Sequence, residues 1–177
     1  ALIRKELDLT PKTVEDADKF FDYRNNLREE VDRRVYAKLA EKGLVSLKEG
    51  KNVVLDAGYF FKWQRQLVYE IAKEGNAEIV IVKVTCSDEE VIKKRMVERA
   101  RDFGKNVLNE TPSWNTYLAT KEVTETIDDL ELVGTDTTVI EFDTLTNSSR
   151  IILGKKSPNI NNVINVINLK RTNRGLY

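Results

Sequence analysis

The sequence predicts an α/β protein: three layers, α/β/α, built on a mostly parallel sheet. Three observations carry that expectation. Two apolar, β-branched runs, EIVIVKVTC at 78–86 and TTVIEFD at 137–143, read as strands, the first a nearly continuous run expected at the centre of a sheet covered on both sides. Segments with apolar residues at every third or fourth position precede and separate them, which is the spacing of a helix face. A further short apolar run, Val53-Val54-Leu55, is closed by Asp56 and the small pair Ala57-Gly58. Strands alternating with helices imply right-handed crossovers, which make the strands parallel and put helices on both faces of the sheet.

The elements follow in order. Residues 1–10 are amphipathic, with Leu2, Ile3, Leu7 and Leu9 apolar, and Thr10-Pro11 breaks the pattern. Thr13 can cap a helix whose first turn holds Glu15 and Asp16. Apolar residues then recur from Val14 through Phe20, Phe21, Leu27, Val31, Val35 and Leu39 to Ala40, so one long helix or two run to Gly43, which fits a C-cap. The opposite side (Arg24, Arg28, Glu29, Glu30, Asp32, Arg33, Arg34) reads as a solvated face with i,i+4 charge pairs. Leu44 to Leu47 extend the helix before Lys48-Glu49-Gly50 turns the chain. Val53 to Asp56 reads as a strand, and Lys62 to Lys73 as a helix ended by Gly75-Asn76. After the strand at 78–86, Ser87 is placed to cap a helix with three acids in its first turn, running to about Arg101. A loop over 102–112 leads to a helix from Ser113 to about Leu132. The strand at 137–143, a short extra strand at Arg150 to Leu153, and a last helix from Ser157 to about Lys170 complete a single domain over 1–170, with a polar tail at 171–177.

Composition excludes several chemistries. The chain has no histidine, so His-based triads, His general bases and His metal sites are absent. One cysteine, Cys86, permits no internal disulfide and reads as a small buried residue. Acid–base chemistry therefore falls to carboxylates, Lys, Tyr or bound groups. The 29 basic and 29 acidic residues cancel, yet no acid follows Asp143 and six bases do, leaving a body of −6 and a tail of +6. Such a tail docks on the acidic body, lies solvated, or binds a polyanion. No apolar run approaches the roughly 20 residues that span a bilayer, and ALIRKELDL lacks the marks of a signal peptide, so a cytoplasmic location is expected.

The stretch VDRRVYAKLAEKGLVSLKEGKNVVLDA, from Val31, resembles the middle of the small P-loop kinases related to polynucleotide kinase and the zeta-toxin-like phosphotransferases. There a helix of pattern V-Y-x-x-L precedes G-x-x-V-V-L-D-A and a helix with an Arg. EIVIVKVTC followed by SDEEVIKKRMVERAR is similar to the family's next strand and its arginine-bearing lid helix, TTVIEFDT to its last core strand, and IRKEL to the segment after its second strand. The resemblance covers roughly residues 3–145 and implies a P-loop NTPase-like fold with a lid at about 88–112. It also implies ATP- and Mg2+-dependent phosphoryl transfer to a hydroxyl of a small molecule or a nucleic acid end.

Two departures stand out. No G-x-x-x-x-G-K-[ST] occurs among the scattered eight glycines. The first strand and P-loop of the family are therefore expected upstream of Ala1; otherwise the domain never binds phosphates, and a non-catalytic kinase-like module binding a protein or polyanion is the alternative. Asp56-Ala57-Gly58 also stands where the family commonly has D-A-T.

What the resemblance implies for individual residues is as follows. Asp56 serves the acceptor or orients metal-bound water; its alternative is a turn-forming cap. Arg95 and Arg99, four apart on one helix face, neutralise charge on the transferred group, or form a solvated basic helix end. Lys93, Lys94 and Arg101 are weaker candidates for the same task. Arg4 and Arg65 bind the acceptor, or are surface residues. Tyr59, with Phe60, Phe61 and Trp63, lines an acceptor pocket or stacks a base, at least two of the four being core.

Overall fold

The computed structural model describes residues 2–9, 26–101, 114–154 and 160–165. They form α1 (Leu2–Glu6), α2 (Asn26–Lys48), α3 (Lys62–Glu74), β1 (Ile79–Thr85), α4 (Glu89–Arg101), α5 (Trp114–Val123), β2 (Thr137–Asp143) and β3 (Ser148–Gly154), with helical residues at 160–165. The architecture is mixed α/β, as the alternation of patterns predicts. The chain forms two compact units, one of residues 1–76 and 92–127, the other of 77–91 and 128–177.

The first unit is built on α2 and α3. Val31, Val35, Tyr36 and Ala40 recur on one face of α2 and are buried. Gly43 does not end the helix, which continues to Lys48. A Cβ at Gly43 would lie 3.1 Å from Ile71 Cδ1 and 3.3 Å from Leu55 Cδ2, so its missing side chain lets α3 and the 51–56 segment close on α2. The helix stops instead near Gly50, which takes the left-handed conformation (φ +74°) and donates its N–H to Leu47 O at 2.9 Å. Gly75 ends α3 as expected, its N–H bonded to Ile71 O at 2.8 Å. The polar side of α2 is not wholly solvated: Arg28 and Asp32 are 4% and 2% exposed. The Thr13 cap and the residues of that helix before Asn26 lie outside the described residues.

In the second unit β1 and β2 run parallel, from Ile79↔Thr137 to Thr85↔Asp143. β3 returns antiparallel to β2, with an irregularity between Val139 and Ile140. The sheet order is β1-β2-β3. β2 is therefore the central strand, with Val139 and Ile140 fully buried, whereas β1, expected at the centre, borders one strand among the described residues and leaves Val84 exposed. The β2–β3 connection is tight because Asp143 Oδ1 accepts the N–H groups of Leu145 (2.7 Å) and Thr146 (3.3 Å), and Asn147 takes φ +56°.

Three further expectations are corrected. Val53 to Asp56 is not a strand: it has no ladder partner among the described residues, and Val54 is 90% exposed. Backbone groups make a strand only by pairing, so an apolar run alone does not suffice. The cap of α4 is Asp88, whose Oδ1 accepts from Glu90 N at 2.8 Å and Val91 N at 3.3 Å; Ser87 instead hydrogen-bonds Asp143. Finally, α5 stops at Val123 rather than Leu132, and turns follow around 129–134. The Ser113 cap and the outer parts of the last helix and tail lie outside the described residues. Among the described residues no helix is long and apolar enough to cross a membrane.

Candidate functional site

The candidate site lies in the first unit, where the unpaired segment 51–56 ends at Asp56 and runs into α3. Leu55 is held against Gly43, so the segment is anchored one residue before the acid, while Asp56, Ala57 and Gly58 are exposed. Tyr59 then adopts φ +48°, a left-handed conformation that a bulky side chain rarely takes. Three groups hold it there. Its N–H donates to the Tyr36 hydroxyl at 3.2 Å. Its carbonyl accepts from Arg65 Nη1 at 3.0 Å. Its ring meets the Tyr36 ring edge-on, with centroids 5.2 Å apart and planes at 75°.

The turn after Tyr59 is fixed as firmly. Phe61 precedes α3, and its N–H donates to the Oε1 of fully buried Gln64 at 3.0 Å, one half of a capping box. Phe60 O accepts the N–H of Glu125 at 2.9 Å and Arg65 Nη1 at 3.3 Å, and Arg65 Nη2 reaches Thr126 O at 3.5 Å. The Glu125 carboxylate accepts the N–H of Lys62. Because the loop has no ladder, side chains of α2, α3 and the 125–126 segment satisfy its backbone. The Phe60 ring folds back over Gly58, where a Cβ would lie 2.4 Å from Phe60 Cε2. The ring thus occupies the space that a side chain at Gly58 would take.

Asp56, Tyr59 and Arg65 are thus brought together on one loop and the start of one helix. Burial pushes the Tyr59 phenol well above its usual range, with Tyr36 and the Asp56 charge adding to the effect. The hydroxyl is accordingly a neutral donor or acceptor. Arg65 is 4% exposed and its guanidinium is committed to the carbonyls of Tyr59, Phe60 and Thr126. Trp63 lies beside Tyr36 (5.7 Å, 73°), and the exposed Arg33 stacks 4.8 Å above the Trp63 ring.

The other expected residues sit on separate elements. Arg4, half-buried on α1, acts electrostatically on Asp32 of α2. Asp32 also accepts from Arg28 Nε at 2.9 Å. Burial raises the Asp32 pKa, against the opposing pull of Arg28 and Arg4. Arg95 is half-buried on α4. The side chains of Arg99 and Arg101 lie outside the described residues. Lys93, on the same helix, stands 5.0 Å above the Trp114 ring, which stacks on Tyr117 at 4.9 Å. Sequence reasoning missed Tyr36, Gln64 and Glu125 as builders of the site. Only Tyr36 carried a signal, as the tyrosine of the V-Y-x-x-L pattern.

These residues do not by themselves hold a magnesium nucleotide: no glycine-rich phosphate cradle occurs in this sequence, and among the described residues no three metal-ligating side chains converge. What they build is a carboxylate-bearing loop open to solvent, suited to the acceptor side of a transfer.

Residues 9–123 match the family model described as an AAA domain. No curated protein and no solved structure matches the chain. The matched span is more than half of the chain and includes the Asp56 loop, and the chain belongs to that family, whose members are P-loop NTPase-like, nucleotide-binding and kinase-like.

Proposed function

We propose that this member of the AAA domain family carries the acceptor side of an ATP- and magnesium-dependent phosphoryl transfer to a hydroxyl, on a small molecule or a nucleic acid end, in the cytoplasm. The observation that carries the reading is the exposed Asp56 at the tip of an anchored segment, followed by a left-handed Tyr59 held from both its amide and its carbonyl. Backbone strain of this kind costs about 1–3 kcal/mol and is kept where a loop must present a group in one geometry. Asp56 binds the acceptor hydroxyl or orients metal-bound water beside it. Tyr59 lines the approach. Arg65 acts one step back, through the loop carbonyls it binds. Arg95 and Arg99 supply positive charge to the transferred group, and Arg4 to the acceptor.

The test is transfer of label from γ-labelled ATP, by the protein that carries this chain, to 5′-hydroxyl oligonucleotides, nucleosides and sugars. Asp56→Asn should lower turnover roughly 100-fold or more, and Arg95→Ala about 10-fold or more, both with an unchanged melting temperature. Wild-type turnover in Asp56→Asn overturns the role given to the acid. A second reading is favoured by one fact, the absence of G-x-x-x-x-G-K-[ST] from these residues. It is a non-catalytic kinase-like module that binds a protein or polyanion. Failure of the protein to bind ATP at millimolar concentration decides for it.

A further inference from the structure

We propose that Tyr36 is the positioning residue of this site: its buried hydroxyl latches the Tyr59 amide and so fixes the loop that carries Asp56. The proposal rests on the reading of Asp56 as the acceptor-side acid. Tyr36 is 8% exposed, in the middle of α2, and core burial alone would be served as well by phenylalanine. The hydroxyl is what distinguishes it, and that hydroxyl accepts the N–H of Tyr59.

A bulky residue in the left-handed region is strained. Tyr36 makes both a hydrogen bond and an edge-to-face ring contact to Tyr59, and the two work against that strain. Arg65 holds the carbonyl side of Tyr59 and leaves the amide side to Tyr36. The amide belongs to the Gly58–Tyr59 peptide, and Gly58 is the one residue of the loop whose φ and ψ turn freely. Without the tyrosine hydroxyl that peptide plane can rotate, two residues along the chain from Asp56. The Phe60 ring covers Gly58, so a side chain there would have to displace the ring, and the latch on the Tyr59 amide comes from α2 instead.

Tyr36→Phe keeps the ring and removes only the hydroxyl. Two readouts are taken on it: amide hydrogen exchange at Tyr59, and transfer kinetics with labelled ATP and whichever of the 5′-hydroxyl oligonucleotide, nucleoside and sugar acceptors the wild-type protein uses. Exchange at Tyr59 should quicken about tenfold while α2 and α3 amides stay as protected as before. The turnover number should fall about tenfold with the ATP KM unchanged, the mark of a displaced acid rather than a loosened fold. Unchanged exchange at Tyr59 overturns the proposal whatever the kinetics. Faster exchange with unchanged turnover overturns it too, since the hydroxyl would then be structural only. If the wild-type protein transfers phosphate to none of the acceptors, the kinase reading fails separately, and the exchange result alone decides whether Tyr36 holds the loop.

Discussion

The sheet and the helical unit place their charged groups in opposite ways. In the sheet, charge stays on the outside: Glu141 of β2 lies opposite Lys83 of β1 (3.6 Å) and Arg150 of β3 (2.7 Å), one row of alternating sign across three strands, while Val139, Ile140 and Phe142 are buried. A ladder satisfies its own backbone, so the side chains need not serve it, and β2 is buried along four successive residues, Thr137 to Ile140. In the helical unit, charge and amide groups go inside. Arg28, Asp32, Gln64 and Arg65 are all buried, and Gln64 and Arg65 serve the backbone of a loop that has no ladder. Irregular backbone near a core must borrow donors and acceptors from side chains. The difference teaches where a fold keeps its specificity: in register for the sheet, in buried polar contacts for the loop.

The largest expected effect breaks the helical side of the comparison. Asp32→Ala removes the carboxylate paired with the buried Arg28 and should cost about 3–5 kcal/mol in urea unfolding. The double replacement Arg28→Met with Asp32→Leu should recover most of that, because an apolar pair of similar volume avoids the desolvation of two charges. If Asp32→Ala costs under about 1 kcal/mol, the buried pair is not what holds α2 in place.

The next effect tests the sheet. Gly154 closes β3 with φ +78°, and a Cβ there would lie 2.0 Å from Thr137 O, a backbone atom that cannot swing away. Gly154→Ala should therefore cost roughly 2–3 kcal/mol in thermal unfolding. Gly134→Ala is the internal comparison: its φ is +77° with open space around it, so only the conformational penalty of about 1 kcal/mol remains. Equal costs at the two glycines would show that the close strand approach adds nothing.

These same contrasts explain what was legible in the sequence. The α/β class, β1, β2 and α3 follow from periodicity, because apolar burial leaves a pattern in the chain. Val53–Leu55 has the composition of a strand but no partner among the described residues, and pairing is invisible to a single segment. Asp56, Tyr59 and Arg65 were singled out and do share one loop and helix start, yet Arg65 gave no sign that it would turn inward to three carbonyls. Nor could Asp32 be told from the exposed Glu29 one turn away, since both stand in charge-rich helix sequence at i,i+4 spacing from an arginine. The Phe60 ring folded over Gly58 likewise leaves no mark in the sequence.

The smallest effect sets the two units against each other by sign. Asp143, at the β2–β3 turn, accepts N–H groups from Leu145 and Thr146 and hydrogen bonds from Ser87; these hold its carboxyl below the usual range, the Leu145 N–H most of all. A lowered folded pKa means stability that is present above the ordinary carboxylate value and is lost as pH falls through the folded one. Asp32 has the opposite shift, raised by burial, so its contribution is fully present below the ordinary value and is lost as pH rises through its folded pKa. Asp143→Asn should therefore flatten the loss of stability on acidification below about pH 4, while Asp32→Asn should steepen the loss of stability as pH falls through mild acid, because it removes a term that favours folding there. Both are read from unfolding midpoints across a pH series. Matching changes of slope in the two variants would mean that the sheet and the helical unit handle their carboxylates alike, and the contrast between them would fall.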